Sequence, residues 1–290
     1  NRLAENYYGT TDFPTIDDPS NPNFGYPQGF GKNNQAVLIP AFLSAYSGKD
    51  AADVSLGIFR DIPIPNWTLK YSGLMRYKFF KDRFRRFSIQ HGYRASYTVN
   101  SFRSNFEYDM NPNMADQSGN FYNKTLVSNI NLVEQFNPLI RLDMEMQNSF
   151  KILAEMKTDR ALSLSFDNNL LTEQKGVEYT LGLGYRFKDV TITSSLADNP
   201  TGVIKSDINV RIDASFRDNK TIVRYLDYDN NQLAGGQNIW SAKLTADYAF
   251  SKQLTMIFFY DHMFSKAVIS TAFPMTNIRT GFTLRYNFGN

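Results

Sequence analysis

The chain contains no cysteine and only two histidines, His91 and His262. Without cysteine it forms neither disulfide bonds nor thiolate metal sites, and it has no thiol nucleophile. Each histidine shares the parity of the apolar residues in its segment, so we interpret both as packed or interfacial rings rather than metal ligands or bases. No catalytic, cofactor-binding or metal-binding constellation is evident. The sequence predicts a protein that is not an enzyme.

Long apolar runs and an excess of one charge sign are also missing. The longest apolar run, Ala36 to Leu43, contains a proline and is far shorter than the roughly 18 residues of a spanning helix. The 31 basic and 28 acidic residues are interspersed, which gives little support to nucleic-acid binding. The chain opens at Asn1 with neither an initiator methionine nor a signal segment, so we expect a mature form or a piece of a longer protein.

Aromatic residues and strand-like alternation are abundant. There are 24 Phe and 17 Tyr. Between Ile204 and Phe216 one parity carries no charge, whereas Lys205, Asp207, Asn209, Arg211 and Asp213 occupy the other. Comparable ribbons recur from residue 66 to the end of the chain, so the sequence predicts an all-β, antiparallel region at 66–290.

The first 65 residues have a different character. They are rich in Pro, Gly, Asn and Asp, the residues that favour turns. A short helix is predicted at Ile39 to Asp50, with Pro40 near its start and Gly48 near its end. We expect residues 1–65 to form an irregular lumenal or periplasmic region.

Connection lengths favour a membrane barrel over a soluble sandwich, although both architectures produce alternation. Four links are predicted to be tight turns, and the links between them to be longer. Short turns at one rim and longer loops at the other are the asymmetry of outer-membrane barrels. The tight links are Lys157–Arg160, Lys188–Asp189, Arg217–Lys220 and Ser251–Lys252, and the longer ones are Ala197–Gly202, Asp229–Gln237 and Phe264–Met275.

Aromatic tripeptides recur once per expected hairpin, each just before a tight turn or the chain end. Aromatic rings at one height on the apolar face form a girdle at a membrane interface. The predicted girdle comprises Tyr185, Phe187, Phe216, Tyr248, Phe250, Tyr286 and Phe288. Thirteen tilted strand residues also rise roughly 34 Å, enough to cross an apolar band of about 25 Å. We therefore expect a transmembrane β-barrel of about a dozen strands.

The polar parity carries both charge signs. A channel that selects small solutes by charge would favour one sign, so the mixture indicates a wide hydrated bore, and Gly182 and Gly184 leave part of its wall bare. The predicted pore-lining residues are Arg141, Asp143, Glu145, Lys205, Asp207, Asn209, Arg211, Asp213, Lys243, Asp247, Arg279 and Arg285.

The last strand matches the terminal pattern of outer-membrane proteins. Arg279 and Gly281 precede apolar Leu284 and Tyr286, and the pattern closes on Phe288. Such a strand can pair by edge addition with an assembly machine, which would make it an insertion signal. The alternative interpretation is simply the last strand of a sheet.

Six stretches, spread from Val37 to Asn277, carry a resemblance to a known family. They read VLIPAFLSAYSGKD, IPIPNWTLKYSGL, RRFSIQHGYRASYTVNSF, VEQFNPLIRLDM, ALSLSFDNNLLTE and STAFPMTN. In these stretches the chain resembles the carboxy-terminal part of the SprA (Sov) family, the outer-membrane translocons of type 9 secretion, which also function in gliding motility.

The resemblance implies a very large single-chain barrel in the Gram-negative outer membrane that conducts folded proteins. It implies as partners the remaining strands of the same polypeptide, a PorV-type barrel, a periplasmic plug protein, cargo with a carboxy-terminal signal domain, and outer-membrane lipids. With room for only about a dozen strands, the chain would be a segment of such a barrel. Two alternatives remain: a self-contained barrel for small or hydrophobic solutes, and a soluble surface adhesin built on a large β-sheet.

Overall fold

The computed structural model describes residues 1–50, 52–59, 64–110, 114–193, 202–228, 230–251, 253–269 and 272–288. The chain is mostly antiparallel β-sheet, with 60% strand and 13% helix. The helices are α1 (Arg2–Tyr8), α2 (Gln35–Ser47), α3 (Lys78–Arg83), α4 (Phe106–Met110) and a 3₁₀ turn at Gly73–Arg76. The strands are β1 (Trp67–Tyr71), β2 (Phe84–Ser104), β3 (Thr125–Met146), β4 (Lys151–Ser165), β5 (Leu170–Thr193), β6 (Val203–Tyr225), β7 (Asn230–Ala249), β8 (Leu254–Ala267) and β9 (Met275–Tyr286).

Within these described ranges, the strands form one sheet in chain order from β1 to β9. Each strand pairs antiparallel with the next, as expected when consecutive strands are joined directly. The predicted all-β, antiparallel architecture is confirmed at this level. The described part contains nine strands rather than about a dozen.

The strands are fewer because they are longer than expected. Lys157–Arg160 lies inside β4 and Arg217–Lys220 inside β6, so both predicted turns are wrong. Polar residues without glycine or proline suggested turns, but these side chains pair across strands: Arg217 contacts Asp159 at 2.8 Å. Lys188–Asp189 is a bulge within β5, with Asp189 at φ 55° and a register shift beside it.

The connections also differ from the predicted asymmetry. A turn at 147–150 joins β3 to β4, and β7 already begins at Asn230, within the longer link predicted at Asp229–Gln237. Turns of four residues lie at both ends of the sheet, at 147–150 on one end and at 166–169 on the other. The prediction of short links at one rim only is therefore wrong. Lys252 and most of 197–202 lie outside the described residues.

Helix α2 confirms the predicted helix and extends it toward the amino terminus. The Asn34 side chain caps the first turn by accepting from the Ala36 amide at 2.8 Å, and Gly48 ends the helix at φ 63°, a conformation that favours glycine. Its buried face joins β3 and β4 in the main apolar core of the described residues: Ile39, Phe42, Leu43, Val54, Val127, Ile130, Leu132, Leu162 and Leu164. None of the described helices has the length and apolarity to traverse a bilayer.

Candidate functional site

The register gives the sheet two chemically different faces. Because side chains alternate along each strand, residues paired across strands share a face. We call the face that carries Asp213 and Lys243 the polar face, and the face that carries Ile212 and Leu244 the apolar face; the register aligns Asp213 with Lys243 and Ile212 with Leu244. On the other strands, too, residues of the polar face pair with residues of the polar face, and residues of the apolar face with residues of the apolar face.

The polar face brings together all the residues that the sequence suggested for a pore wall. Asn209 pairs in register with Asp247, Asp213 with Lys243, and Lys243 in turn with Asp261. The face carries Arg141, Asp143, Glu145, Lys205, Asp207, Asn209, Arg211, Asp213, Lys243, Asp247, Arg279 and Arg285. Their proximity therefore follows from the sheet, whereas their lining of a pore stays a prediction.

Ion pairs link many of these charges. Arg141 donates two hydrogen bonds to Asp143, at 2.9 and 3.1 Å. Arg211 likewise donates two to Asp213, at 2.6 and 3.0 Å. Arg279 reaches Asp261 on the neighbouring strand at 2.8 Å. Both charge signs therefore alternate at short range, and no region of one sign dominates these contacts.

Two glycines open a cleft in the centre of the polar face. A Cβ on Gly182 would lie 2.6 Å from the Asp213 carboxylate and 3.2 Å from Leu153, so only glycine fits beside these side chains. With Gly184 it forms the floor of a cleft of about 580 Å³ whose walls include charged residues of β3, β6 and β7. The two glycines thus leave this part of the polar face without side chains, whereas its place in the wall of a bore stays a prediction.

A three-residue charge cluster on the polar face was missed by the sequence analysis. Arg217 lies between Asp159 at 2.8 Å and Glu178 at 3.0 Å. Gly176 lies on β5, between β4 with Asp159 and β6 with Arg217. A Cβ at position 176 would lie 2.6 Å from the Asp159 carboxylate and 2.8 Å from the Arg217 guanidinium. The assignment of 217–220 to a turn concealed the cluster. Continued alternation through Arg217 was the pattern that could have revealed it.

The apolar face carries a belt of cross-strand rows without a single Asp, Glu, Lys or Arg. We define this apolar belt by the alternate residues of β5 from Tyr179 to Phe187, β6 from Ile208 to Phe216, β7 from Trp240 to Tyr248, β8 from Met256 to Phe264 and β9 from Thr276 to Leu284. Leu181 and Ile212, in its middle, are 49% and 47% exposed. Contiguous exposed apolar surface of this extent marks an interaction site.

One edge of the belt is a row of aromatic rings. Tyr179, Phe216, Trp240 and Phe264 are paired in register across β5 to β8. Trp240 lies 5.1 Å from Phe216 and 5.5 Å from Phe264 between ring centroids. Phe216 therefore belongs to this row, well inside β6. Its predicted position at a strand end beside a tight turn is wrong, because β6 continues to Tyr225.

The other edge of the belt carries the remaining aromatic residues of the predicted girdle. Three pairs lie in the carboxyl-terminal parts of β5, β7 and β9, which run in the same direction: Tyr185 with Phe187, Tyr248 with Phe250, and Tyr286 with Phe288, at centroid distances of 4.7, 5.2 and 4.8 Å. The predicted position of Tyr185 and Phe187 just before a tight turn is wrong, because β5 continues to Thr193. The eight residue steps from Trp240 to Tyr248, at about 3.4 Å each, correspond to a length of about 27 Å along β7. Aromatic rings thus border the belt at both edges.

Two comparisons with known proteins found no match for the chain. No protein-family model matches it, and no curated protein matches it. Within the described ranges, no group of three or more histidine, aspartate or glutamate side chains is arranged to hold a metal ion.

Beyond the aromatic row, helix α2 covers the apolar face. The Arg160 guanidinium lies over the aromatic ring of Tyr46 in α2, with its central carbon 5.8 Å from the ring centroid. Burial, together with the nearby Glu134 carboxylate, raises the pKa of the Tyr46 hydroxyl. The Tyr97 hydroxyl of β2 donates to the Ile58 carbonyl at 2.8 Å. Helix α2, Val54 and Ile58 therefore pack on the same face as the belt, not on the polar face.

The last strand keeps the alternation expected of it. Arg279 and Gly281 lie on the polar face, and Leu284 and Tyr286 lie on the apolar face. Phe288 follows the strand and is 90% exposed. Strand β9 is the last of the described sheet, and the order of strands gives it one neighbour, β8. Recognition of this strand by an assembly machine stays a prediction.

Proposed function

We propose that the chain forms part of the wall of an outer-membrane β-barrel, with the apolar belt against lipid and the polar face toward a wide, hydrated, protein-conducting bore. The observation that carries the proposal is the exposed belt without charged residues, opposite a face of mixed charge. Each Lys or Arg on a lipid-facing midplane position costs about 2 to 4 kcal/mol, so a lipid-facing wall excludes them there. A sheet face exposed to water has no comparable reason to exclude charged residues completely.

The dimensions of the belt support the proposal. At the strand tilt of about 40° that is typical of outer-membrane barrels, the belt is about 21 Å high between backbone positions. Extended by the rings at both edges, this is close to the apolar band of about 25 Å on such barrels. Tyr and Trp prefer membrane interfaces because the ring is buried there while the polar atom remains hydrated. A soluble sandwich would cover Leu181 and Ile212 with a second layer, and both are about half exposed.

The polar face supports a bore that conducts proteins rather than one small solute. Its charges are paired at short range, as in Arg141–Asp143 and Arg211–Asp213, so a passing chain meets no strong field of a single sign. The open order of the sheet from β1 to β9 fits a section of a larger barrel, since unpaired strand edges are not tolerated in lipid.

The position of α2 modifies the expectation of a lumenal amino-terminal region. Because α2 packs on the apolar face beyond the aromatic row, lipid against the belt leaves α2 outside the bore, at the membrane surface. This is the part of our proposal that departs from the resemblance-based expectation for residues 1–65. The PorV-type barrel, the plug protein and the rest of a translocon remain proposed partners.

A single-cysteine experiment tests the assignment of the faces. The chain has no native cysteine, so Ile212→Cys and Ser215→Cys each introduce one thiol into β6, on the apolar and polar faces. After labelling with an environment-sensitive fluorophore in membranes of cells that express the protein, we expect blue-shifted emission quenched by lipid-soluble spin labels at position 212 only. Emission typical of water at both positions would refute the membrane-wall proposal.

A second experiment tests protein conduction. A photoreactive benzophenone amino acid at Asn209, on the polar face, should cross-link an exported protein with a carboxy-terminal signal domain during transport. The same group at Val210, the next residue and on the apolar face, should not. Equal capture at both positions, or none at position 209 during active export, would contradict a protein-conducting bore.

A further inference from the structure

Three cations lie side by side on the apolar face, beyond the aromatic edge of the belt. Arg160, Lys175 and Lys220 are direct cross-strand partners on β4, β5 and β6, and we call them the basic row. Like charges directly opposite each other in a sheet are destabilising, so this arrangement needs compensation. The row continues to Gly236 on β7, which has no side chain to cover Lys220.

The acids of this region compensate the row only in part. The fully buried Glu173 carboxylate is shared by Arg160 at 2.7 Å, Lys175 at 3.0 Å and Arg224. Lys220 pairs with Asp218 at 2.8 Å. Glu134 lies next to Arg160 in the row, at the end that α2 covers. These three carboxylates, Glu173, Asp218 and Glu134, therefore face four cations, Arg160, Lys175, Lys220 and Arg224.

The two lysines are accessible at a defined height. Their side chains are 50% and 47% exposed, in contrast to the buried acid below them. Lys220 is four residues beyond Phe216 of the aromatic row, which corresponds to about 10 Å at the tilt used above. Headgroup regions add about 5 to 8 Å on each side of the hydrocarbon core, and flexible lysine side chains can bend toward it.

We propose that Lys175 and Lys220 bind the phosphate of an anionic membrane lipid whose acyl chains lie on the apolar belt. The inference rests on the proposed function, since it requires lipid against the belt. The phosphate offers the charge that the buried carboxylate does not supply. Lysine binds phosphate as a point charge, and a planar guanidinium is not required.

The test measures lipid retained by the full chain purified in neutral detergent. Phosphatidylglycerol, phosphatidylcholine and inorganic phosphate are titrated separately, and bound lipid is counted by native mass spectrometry. We expect preferential binding of phosphatidylglycerol, weakened about fivefold by Lys175→Gln or Lys220→Gln and more by both together. The matched control, Lys151→Gln with Lys157→Gln on the polar face of β4, removes the same charge and should leave lipid binding unchanged.

The outcomes separate this inference from the proposed function. Equal losses in both double variants, or phosphate binding without preference for the anionic lipid, would overturn the headgroup site. If the fluorophore at position 212 still reports lipid in such a case, the membrane wall stands and only the lysine site is lost. Water-like emission at that position would remove both.

Discussion

Phe216 of β6 and Trp240 of β7 lie directly opposite each other, with their ring centroids 5.1 Å apart. The pair lies at the centre of the aromatic row, and the chemistry of the apolar face changes there. On one side the belt carries no charge, and on the other side the basic row and α2 follow. The row therefore fixes where the proposed bilayer boundary lies on the sheet.

Leu244→Arg should prevent stable membrane assembly, whereas Thr245→Arg should be tolerated. Leu244 lies in the middle row of the belt between Ile212 and Tyr260, so an arginine there costs about 2 to 4 kcal/mol in lipid. Thr245 is the next residue and lies at the polar cleft. The measurement is the fraction of each variant that becomes protease-resistant in membranes. Comparable assembly of the two variants would contradict the assignment of faces.

Trp240 should report the interface rather than the membrane centre. The chain has only two tryptophans, so Trp67→Phe leaves Trp240 as the single emitter. Lipids brominated near the carbonyl groups should quench its fluorescence more strongly than lipids brominated near the chain ends, because the aromatic row lies at the belt edge. Stronger quenching by the lipids brominated near the chain ends would show that the aromatic row does not lie at the bilayer boundary.

Glu173→Gln should loosen the sheet end beyond the belt. The substitution leaves Arg160, Lys175 and Arg224 without their shared carboxylate, and we expect a local loss of about 2 to 3 kcal/mol. Hydrogen exchange of the β4 and β5 amides measures it. Glu178→Gln is the control: that side chain is 24% exposed and pairs with one arginine, so its loss should be below about 1 kcal/mol. Equal effects would show that sharing the buried carboxylate is unimportant.

Leu43→Ala should release α2 from the sheet. Leu43 is 3% exposed within the core formed with β3 and β4, and truncation of such a leucine costs about 2 to 5 kcal/mol. Faster hydrogen exchange throughout Gln35–Ser47 is the expected result. Ala45→Ser, at an exposed position of the same helix, should change stability by no more than about 0.5 kcal/mol. Unchanged exchange in Leu43→Ala would mean that α2 is held by other contacts.

The sequence predicted the faces better than the turns. Alternation around Ile212 and Asp213 correctly separated the two faces, because it depends only on the local geometry of an extended backbone. The turns at Lys157–Arg160 and Arg217–Lys220 were predicted from polar composition and are wrong. Polar residues in a long strand can satisfy one another across the sheet, and Arg217 with Asp159 is an example that no local pattern reveals.

The candidate site was predictable in its composition and not in its arrangement. The twelve polar-face residues were identified from parity alone, whereas Phe216 was assigned to the wrong aromatic group because the length of β6 was underestimated. The basic row was also missed. Arg160, Lys175 and Lys220 are separated by 15 and 45 residues, and only the register makes them neighbours.

The sequence by itself determined the two-residue period, the helix before it and the absence of an apolar helix long enough to span a bilayer, since these depend on residues adjacent in the chain. The tertiary structure decided the register, and with it the position of the belt, its aromatic edges and the face that α2 covers. Register depends on pairing between residues far apart in sequence. A local pattern limits that pairing to alternatives that differ by an even number of residues, but it does not choose among them.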